Sequence, residues 1–265
     1  MDTVIYFRGA LAEEGELEIA RQHFRVVEQR TLIKPGELVI PRYSALPYNH
    51  ELCQDLQELG AIPINTHRQH AYVADLQNWY GDLTGVTPQT WFRLEDVPKL
   101  GGPFILKGAT NSKKLLWSTH CYARDYMTAL EVHSNLLRDG VVGQQNIYVR
   151  EYIPLRRLAV GLNGLPISEE YRFFILDGKV LASGFYWSSH LDDLECEMPD
   201  SRDVPESFLQ EVIARVGDNV RFWVVDIART DRDNWVVIEL NDGCMSGLSE
   251  VRAEDLYRAL ADATR

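Results

Sequence analysis

Trp235-Val-Val-Ile-Glu-Leu-Asn241 is an apolar strand interrupted twice, by Glu239 and Asn241. A strand sends alternate side chains to opposite faces, so these two polar groups, two positions apart, share one face. Upstream, Phe222-Trp-Val-Val-Asp-Ile227 carries a single interruption, Asp226, and the polar stretch Thr230–Asn234 reads as the turn between two hairpin strands. Folding about residues 232–233 sets Asp226 opposite Glu239. Three oxygen-bearing side chains then converge on a hydrophobic ribbon. Buried carboxylates are costly unless paired or coordinated, and two together repel. A hard divalent cation relieves both problems, and carboxylate with amide oxygens suits Mg²⁺. Alternation equally permits the three residues to face solvent on a two-sided hairpin, so spacing alone leaves both arrangements open.

Working outward, a second hairpin, Tyr171–Leu176 with Lys179–Phe185, turns through Asp177-Gly178, a strong turn signal. Phe104–Lys107, Leu115–Trp117 and Ile147–Ile153 read as further strands. Helices are expected over Tyr122–Arg138, Glu206–Val216 and the C-terminal segment bearing Val251, Leu256 and Leu260. Before Leu94 the pattern differs, with short strands (Val4–Phe7, Glu37–Ile40, Ala61–Ile64) alternating with helical stretches. These helices span Ala12–His23, the Leu52-Leu56-Leu59 run stopped by Gly60, and Gln69–Tyr80. That alternation predicts a small, mostly parallel α/β layer over residues 1–95, followed by a strand-pair-rich domain over 96–265. Pro98, Gly101, Gly102 and Pro103 punctuate the connection.

The 265 residues carry 27 basic and 39 acidic side chains, a net −12, with 45% apolar and 25% charged residues. This is an ordinary globular composition. Its acidity argues against sequence-independent nucleic-acid binding but leaves room for a local cationic pocket. No apolar run approaches the roughly 20 residues that span a bilayer, and Met1-Asp2-Thr3-Val4-Ile5 lacks the features of a signal peptide. Cys53, Cys121, Cys196 and Cys244 are widely separated, as expected of reduced cysteines in a cytoplasmic protein. His67 and His70 read as loop residues. Gly108–Lys114 has the composition of a phosphate loop without its second glycine, and no Ser-His or Cys-His nucleophile pattern occurs.

Glu-x-Asn at a strand end, with an acid on the partner strand, resembles the metal-binding hairpin of the ATP-grasp superfamily. The loop Asp242-Gly-Cys-Met-Ser-Gly247 is similar to that superfamily's loop beside the acceptor substrate. Upstream the likeness continues in order. Phe104-Ile-Leu-Lys107 resembles the strand whose lysine contacts ATP phosphates, and Asn111-Ser-Lys-Lys114 the loop that covers them. Tyr148-Val-Arg-Glu-Tyr-Ile153 resembles the hinge at adenine, and Glu169-Glu-Tyr-Arg-Phe-Phe174 the strand directing an arginine at phosphates. Arg42-Tyr-Ser-Ala-Leu-Pro47, Lys107 and Arg172 are similar to the signature of the clade named for two arginines and one lysine. Two departures stand out. The Gln69–Tyr80 helix has no phosphate-binding lysine, and Pro154-Leu-Arg-Arg-Leu158 has no acid for the ribose hydroxyls.

The resemblance implies an ATP-grasp fold preceded by a small parallel pre-ATP-grasp domain. It also implies an ATP- and Mg²⁺-dependent carboxylate–amine ligase working through an acyl phosphate, with small-molecule or peptide substrates and no membrane partner. Asp226, Glu239 and Asn241 would hold metal. Lys107, Lys113, Lys114, Glu151, Tyr152, Ile153 and Arg172 would contact ATP, with Lys107 and Arg172 catalytic. Arg8, Arg42 and Ser246 are the candidate substrate contacts. Read singly, Lys107 can be a strand-end lysine in solvent, Glu151 a partner of Arg150, Arg156 or Arg157, Arg172 the exposed member of a strand, and Arg42 ordinary loop charge. Phosphoryl transfer to another acceptor, and a non-catalytic nucleotide-binding module, fit the same motifs.

Overall fold

A computed structural model describes residues 2–9, 12–43, 49–194 and 196–265. The first layer is a parallel sheet of β1 (Thr3–Phe7), β2 (Arg25–Val27), β3 (Leu38–Arg42) and β4 (Ile62–Pro63), in the order β2-β1-β3-β4. Strand alternation sorts β1 between two helices. Ile5 and Phe7 pack on the side of Ala20 from α1 (Glu16–His23), while Val4 and Tyr6 pack with Leu52 and Leu56 of α2 (His50–Glu58). The helix expected from Ala12 starts only at Glu16, after Gly15 with φ of 79°. The Gln69–Tyr80 helix is in fact two. Thr66 caps α3 (His67–Ala74) in a capping box with Gln69, and extended Asp75 ends it and caps α4 (Leu76–Trp79). His67 and His70 therefore lie on a helix rather than in a loop.

The second sheet is antiparallel. It comprises β5 (Thr90–Trp91), β6 (Phe104–Gly108), β7 (Tyr122–Ala123) and β8 (Ile147–Glu151), in the order β5-β8-β6-β7. α5 (Tyr126–Leu137) covers it, with Ala129, Val132 and Leu136 on Phe104, Leu106 and Val149. Leu115–Trp117 is not a strand. Leu115 and Leu116 are exposed, so no buried face draws them into the sheet, and the segment coils before β7. Asp125 accepts from the Thr128 N–H and starts α5 later than hydrophobic spacing alone indicates.

A short ribbon of β9 (Arg157–Val160) and β10 (Pro166–Ser168) leads into the third sheet. This sheet is built from β11 (Glu170–Leu176), β12 (Lys179–Phe185), β13 (Phe222–Arg229) and β14 (Trp235–Asp242), antiparallel in the order β12-β11-β13-β14. Its first hairpin turns where expected, with Asp177 and Gly178 both at positive φ. Phe173, Ile175, Val225 and Ile227 pack in one core with Val212 and Val216 of α6 (Glu206–Val216). Phe174, Leu176, Phe222 and Val224 pack in another with Leu256 and Tyr257 of α7 (Ala253–Thr264) and with Ile5 and Ile40 of the first sheet. Both faces of this sheet are therefore covered over most of their extent, and the polar residues Arg172 and Asp226 that interrupt its strands are buried. Among the described residues no helix is long and apolar enough to cross a membrane.

Candidate active site

Arg172, Asp226 and Glu239 stand on one rung across β11, β13 and β14. Asp226 is fully buried. Arg172 grips it bidentately, Nε and Nη2 donating to the two carboxylate oxygens at 2.9 and 2.8 Å, while Nη1 donates to the Gly247 carbonyl at 2.8 Å. Lys107, from the facing second sheet, ion-pairs with Glu239. Burial favours the neutral form of Glu239, yet the ammonium groups of Lys107 and Lys114, with hydrogen bonds from Lys107 and Asn241, hold its carboxyl down at about 2. The register expected from the sequence is present, with one addition. A bulge follows Asp226, so pairing slips to Ile227 opposite Val237. Strict alternation would turn Ile238 and Glu239 to opposite faces, whereas the bulge lets both line the same cavity.

That cavity, about 460 Å³, lies between the second and third sheets. Its size falls in the range of small-molecule sites. One end is charged, with Lys107, Lys114, Arg150, Glu170 and Glu239. Away from it the wall combines apolar Ile105, Tyr152, Ile153 and Leu165 with charged Glu151, Arg157 and Asp231. Where the chain leaves β8, the Glu151 and Tyr152 N–H groups bond to the Gln89 and Pro103 carbonyls at 2.8 and 3.0 Å. The Ile153 N–H makes no hydrogen bond among the described residues. The Lys114 ammonium sits 4.2 Å from the Tyr186 ring centre and 3.0 Å from its hydroxyl. Burial works against that charge, but Glu170, Tyr186 and Glu239 raise its pKa above the ordinary lysine value.

Unmet hydrogen-bonding capacity is concentrated here. Among the described residues four buried side-chain polar atoms lack a hydrogen-bond partner, and three of them, Glu170 Oε1, Arg150 Nε and Trp187 Nε1, belong to residues lining this cavity. Buried polar atoms are normally satisfied, so this concentration marks a place for a polar ligand. Glu170 is raised above the usual carboxylate range, first by burial and then by Asp226 and Glu239, against the pull of Lys114 and Arg172. Among the described residues no three acidic, histidine or cysteine side chains are grouped to hold a metal ion, but the carboxylates of Asp226 and Glu239 with the amide of Asn241 are hard oxygen donors of the kind that suits Mg²⁺.

The structure thus brings together Lys107, Lys114, Arg172, Asp226, Glu239 and Asn241, with Glu151, Tyr152 and Ile153 along the same cavity. It does not bring Lys113, which pairs with Asp139 at 2.9 Å. Arg42, expected at a substrate, is 0% exposed. Its guanidinium bonds Glu16 at 2.8 Å, the Tyr43 hydroxyl at 2.6 Å, and the Gly243 and Ser246 carbonyls at 2.5 and 3.0 Å. It supports the loop after Asn241 from beneath. The Ser246 hydroxyl donates to the Asp242 carbonyl within that loop, and Arg8 is exposed just past β1. Ser44-Ala-Leu-Pro47 of the clade-like motif lies outside the described residues.

Several site residues went unselected in the sequence. Glu170 is two positions from Arg172 and shares its strand face, a signal that was available. Arg150 and Trp187 gave none. His70 is buried, with Nδ1 2.7 Å from Asp242 Oδ2, and Asn65 donates to the other carboxylate oxygen at 3.0 Å. These contacts pin the start of the loop that follows the hairpin.

A family model for the ATP-grasp domain, family 3 of the clade named for two arginines and one lysine, matches residues 97–260. No curated protein sequence matches the chain. Among solved structures, the chain is similar to a RimK domain ATP-grasp protein from Sphaerobacter thermophilus, with 15% identity, a TM-score of 0.61, and coverage of 100% of this chain and 99% of that one. It is similar to D-alanine–D-alanine ligase from Bacillus anthracis, with 14% identity, a TM-score of 0.57, and coverage of 91% and 86%. It is also similar to the ATP-grasp ligase PsnB complexed with minimal precursor, Mg and ADP, with 13% identity, a TM-score of 0.57, and coverage of 99% and 97%.

Proposed function

The chain belongs to the two-arginine, one-lysine clade of ATP-grasp proteins, and from that premise we propose that it is an ATP- and Mg²⁺-dependent ligase joining a carboxylate to an amine through an acyl phosphate. The observation that carries the reading is the Arg172–Asp226–Glu239 rung, met by Lys107 from the facing sheet at the charged end of the cavity. The likeness to PsnB, an ATP-grasp ligase complexed with a precursor, Mg and ADP, and to D-alanine–D-alanine ligase supports it. In this reading residues 96–265 hold the nucleotide and residues 1–95 support the acceptor side.

Asp226, Glu239 and Asn241 would hold Mg²⁺, which neutralises phosphate charge when bound. Lys107, Lys114 and Arg172 direct donors at the phosphate oxygens, where they match the charge that spreads during transfer. Tyr152, Ile153 and Ile105 receive the base, and the Ile153 N–H is available to it. An oxygen of the acceptor carboxylate attacks the γ-phosphorus, and the bond to the β-phosphate oxygen breaks to release ADP. An amine nitrogen then attacks the acyl carbon, phosphate leaves with the bonding pair, and the nitrogen loses a proton. No protein nucleophile enters either step. The loop 242–247, fixed by Arg42, His70 and Asn65, borders the acceptor.

The test is ADP release across panels of carboxylates and amines, with Glu239→Ala as control. Release that requires both an acid and an amine, and is lost in the variant, agrees with the proposal. Unchanged turnover in Glu239→Ala refutes the metal assignment, and a stable phosphorylated product without an amide refutes the ligase.

A further inference from the structure

Resting on the nucleotide reading above, we propose that Asp231, in the turn between β13 and β14, accepts the ribose hydroxyls of the bound nucleotide. The segment beyond the hinge, Pro154-Leu-Arg-Arg-Leu158, has no acid of its own. The fold brings one there from elsewhere. The Asp231 N–H donates to the Pro154 carbonyl at 3.0 Å, the Arg156 N–H donates to the Arg229 carbonyl at 2.8 Å, and Leu155 bridges to Thr230. The turn is thereby docked on the hinge extension, and Asp231 lines the cavity with Tyr152, Ile153, Pro154 and Arg157.

Its carboxylate is left free by the pairing around it. Arg156 and Arg229 both reach Glu169, at 3.4 and 3.6 Å, and both reach Asp233, at 3.9 and 3.1 Å. Among the described residues the Asp231 carboxylate has neither an ion pair nor a hydrogen bond. It lies close enough to the Tyr152 phenol to help burial and Tyr122 raise the pKa of that group. Of the other cavity acids, Glu170 and Glu239 belong to the charged end with Lys107 and Lys114, and Glu151 ends β8 ahead of the Ile153 amide, on the base side. A sugar lies between base and phosphates, and its two vicinal hydroxyls are donors in need of an acceptor. One ionised carboxylate can accept both.

The experiment compares ATP with 2′,3′-dideoxy-ATP by calorimetry on the full chain with Mg²⁺ present, in wild type, Asp231→Ala and Glu151→Ala. Hydrogen bonds to a charged group are worth enough that wild type should prefer ATP by about tenfold or more. Asp231→Ala should bind the two equally, with ATP weakened to the dideoxy level, while Glu151→Ala keeps the preference. Persistence of the preference in Asp231→Ala, its loss only in Glu151→Ala, or no preference in wild type would overturn the assignment while leaving nucleotide binding intact. Absence of ATP binding in wild type would instead overturn the proposed function, and this assignment with it.

Discussion

Replacing Arg42 with methionine should expose how the first sheet holds the acceptor loop. Arg42 and Glu16 form an ion pair in which both side chains are wholly buried. Around it, Tyr43 and Tyr257 donate to Glu16 at 2.9 and 2.7 Å. Burial pushes the Glu16 carboxyl up, but Arg42 and the two hydroxyls outweigh it, and the group lies below the usual carboxylate range. Arg42→Met keeps the volume and leaves Glu16 charged and unpaired, a change that costs about 3–5 kcal/mol in buried pairs. The carbonyls of Gly243 and Ser246 lose their donor as well. The sign of the pH dependence identifies the cause. In wild type the depressed carboxyl stabilises the fold above its unfolded value of 4.5 and withdraws that stability only as pH falls through the lower folded value. In the variant, burial, the largest influence on the group, is opposed only by the two tyrosine hydroxyls and the folded value is raised, so stability is lost as pH rises past the unfolded value. The deficit relative to wild type should therefore be largest at neutral pH and shrink by about half or more toward pH 4.5. Adding Glu16→Gln to the variant should restore part of the loss at pH 7.5. Urea unfolding at several pH values measures this. A deficit under about 1 kcal/mol, or one that does not change with pH, would refute the reasoning.

Two further outcomes follow from the cavity. Lys107→Met removes a donor aimed at the phosphates and strips Glu239 of its nearest cation, so ADP release should fall by about a hundredfold or more. A change within threefold would show that Lys107 is not needed there. Cys121 lines the cavity, and burial pushes its thiol up to about 11, so it stays protonated at pH 8. Mass spectrometry after iodoacetamide treatment at that pH should show exposed Cys196 modified well before Cys121, and the reverse order would contradict the burial argument.

The hairpin was legible because its signal is local. Two apolar strands with polar interruptions at matching distances from a turn define both the register and the shared face. The sequence could not tell whether that face is wet, because the answer lies in what packs on it, namely α7 and the first sheet over Phe222 and Val224 and Lys107 of the second sheet over Glu239. The bulge after Asp226 was also hidden, since one extra residue in a strand leaves the apolar pattern almost unchanged. The Asp75 break is hidden by the apolar spacing of Ala71, Leu76 and Trp79, which runs on through an Asp that caps a new helix. His70 looked like a loop residue because its partner, Asp242, is remote in sequence. Arg42 carried the right type of charge for a substrate contact, and only the fold shows that its carboxylate partner is internal. Asp231 had the same weakness, as a polar turn residue whose role comes from the backbone docked beneath it.

The most direct measurement is calorimetric titration of ATP into the intact chain, with and without Mg²⁺, in wild type and in Glu239→Gln. One nucleotide should bind per chain, at least about tenfold more tightly with Mg²⁺ in wild type, with that gain absent in the variant. No saturable binding, or a Mg²⁺ effect that Glu239→Gln leaves intact, would contradict a nucleotide and metal held between these two sheets.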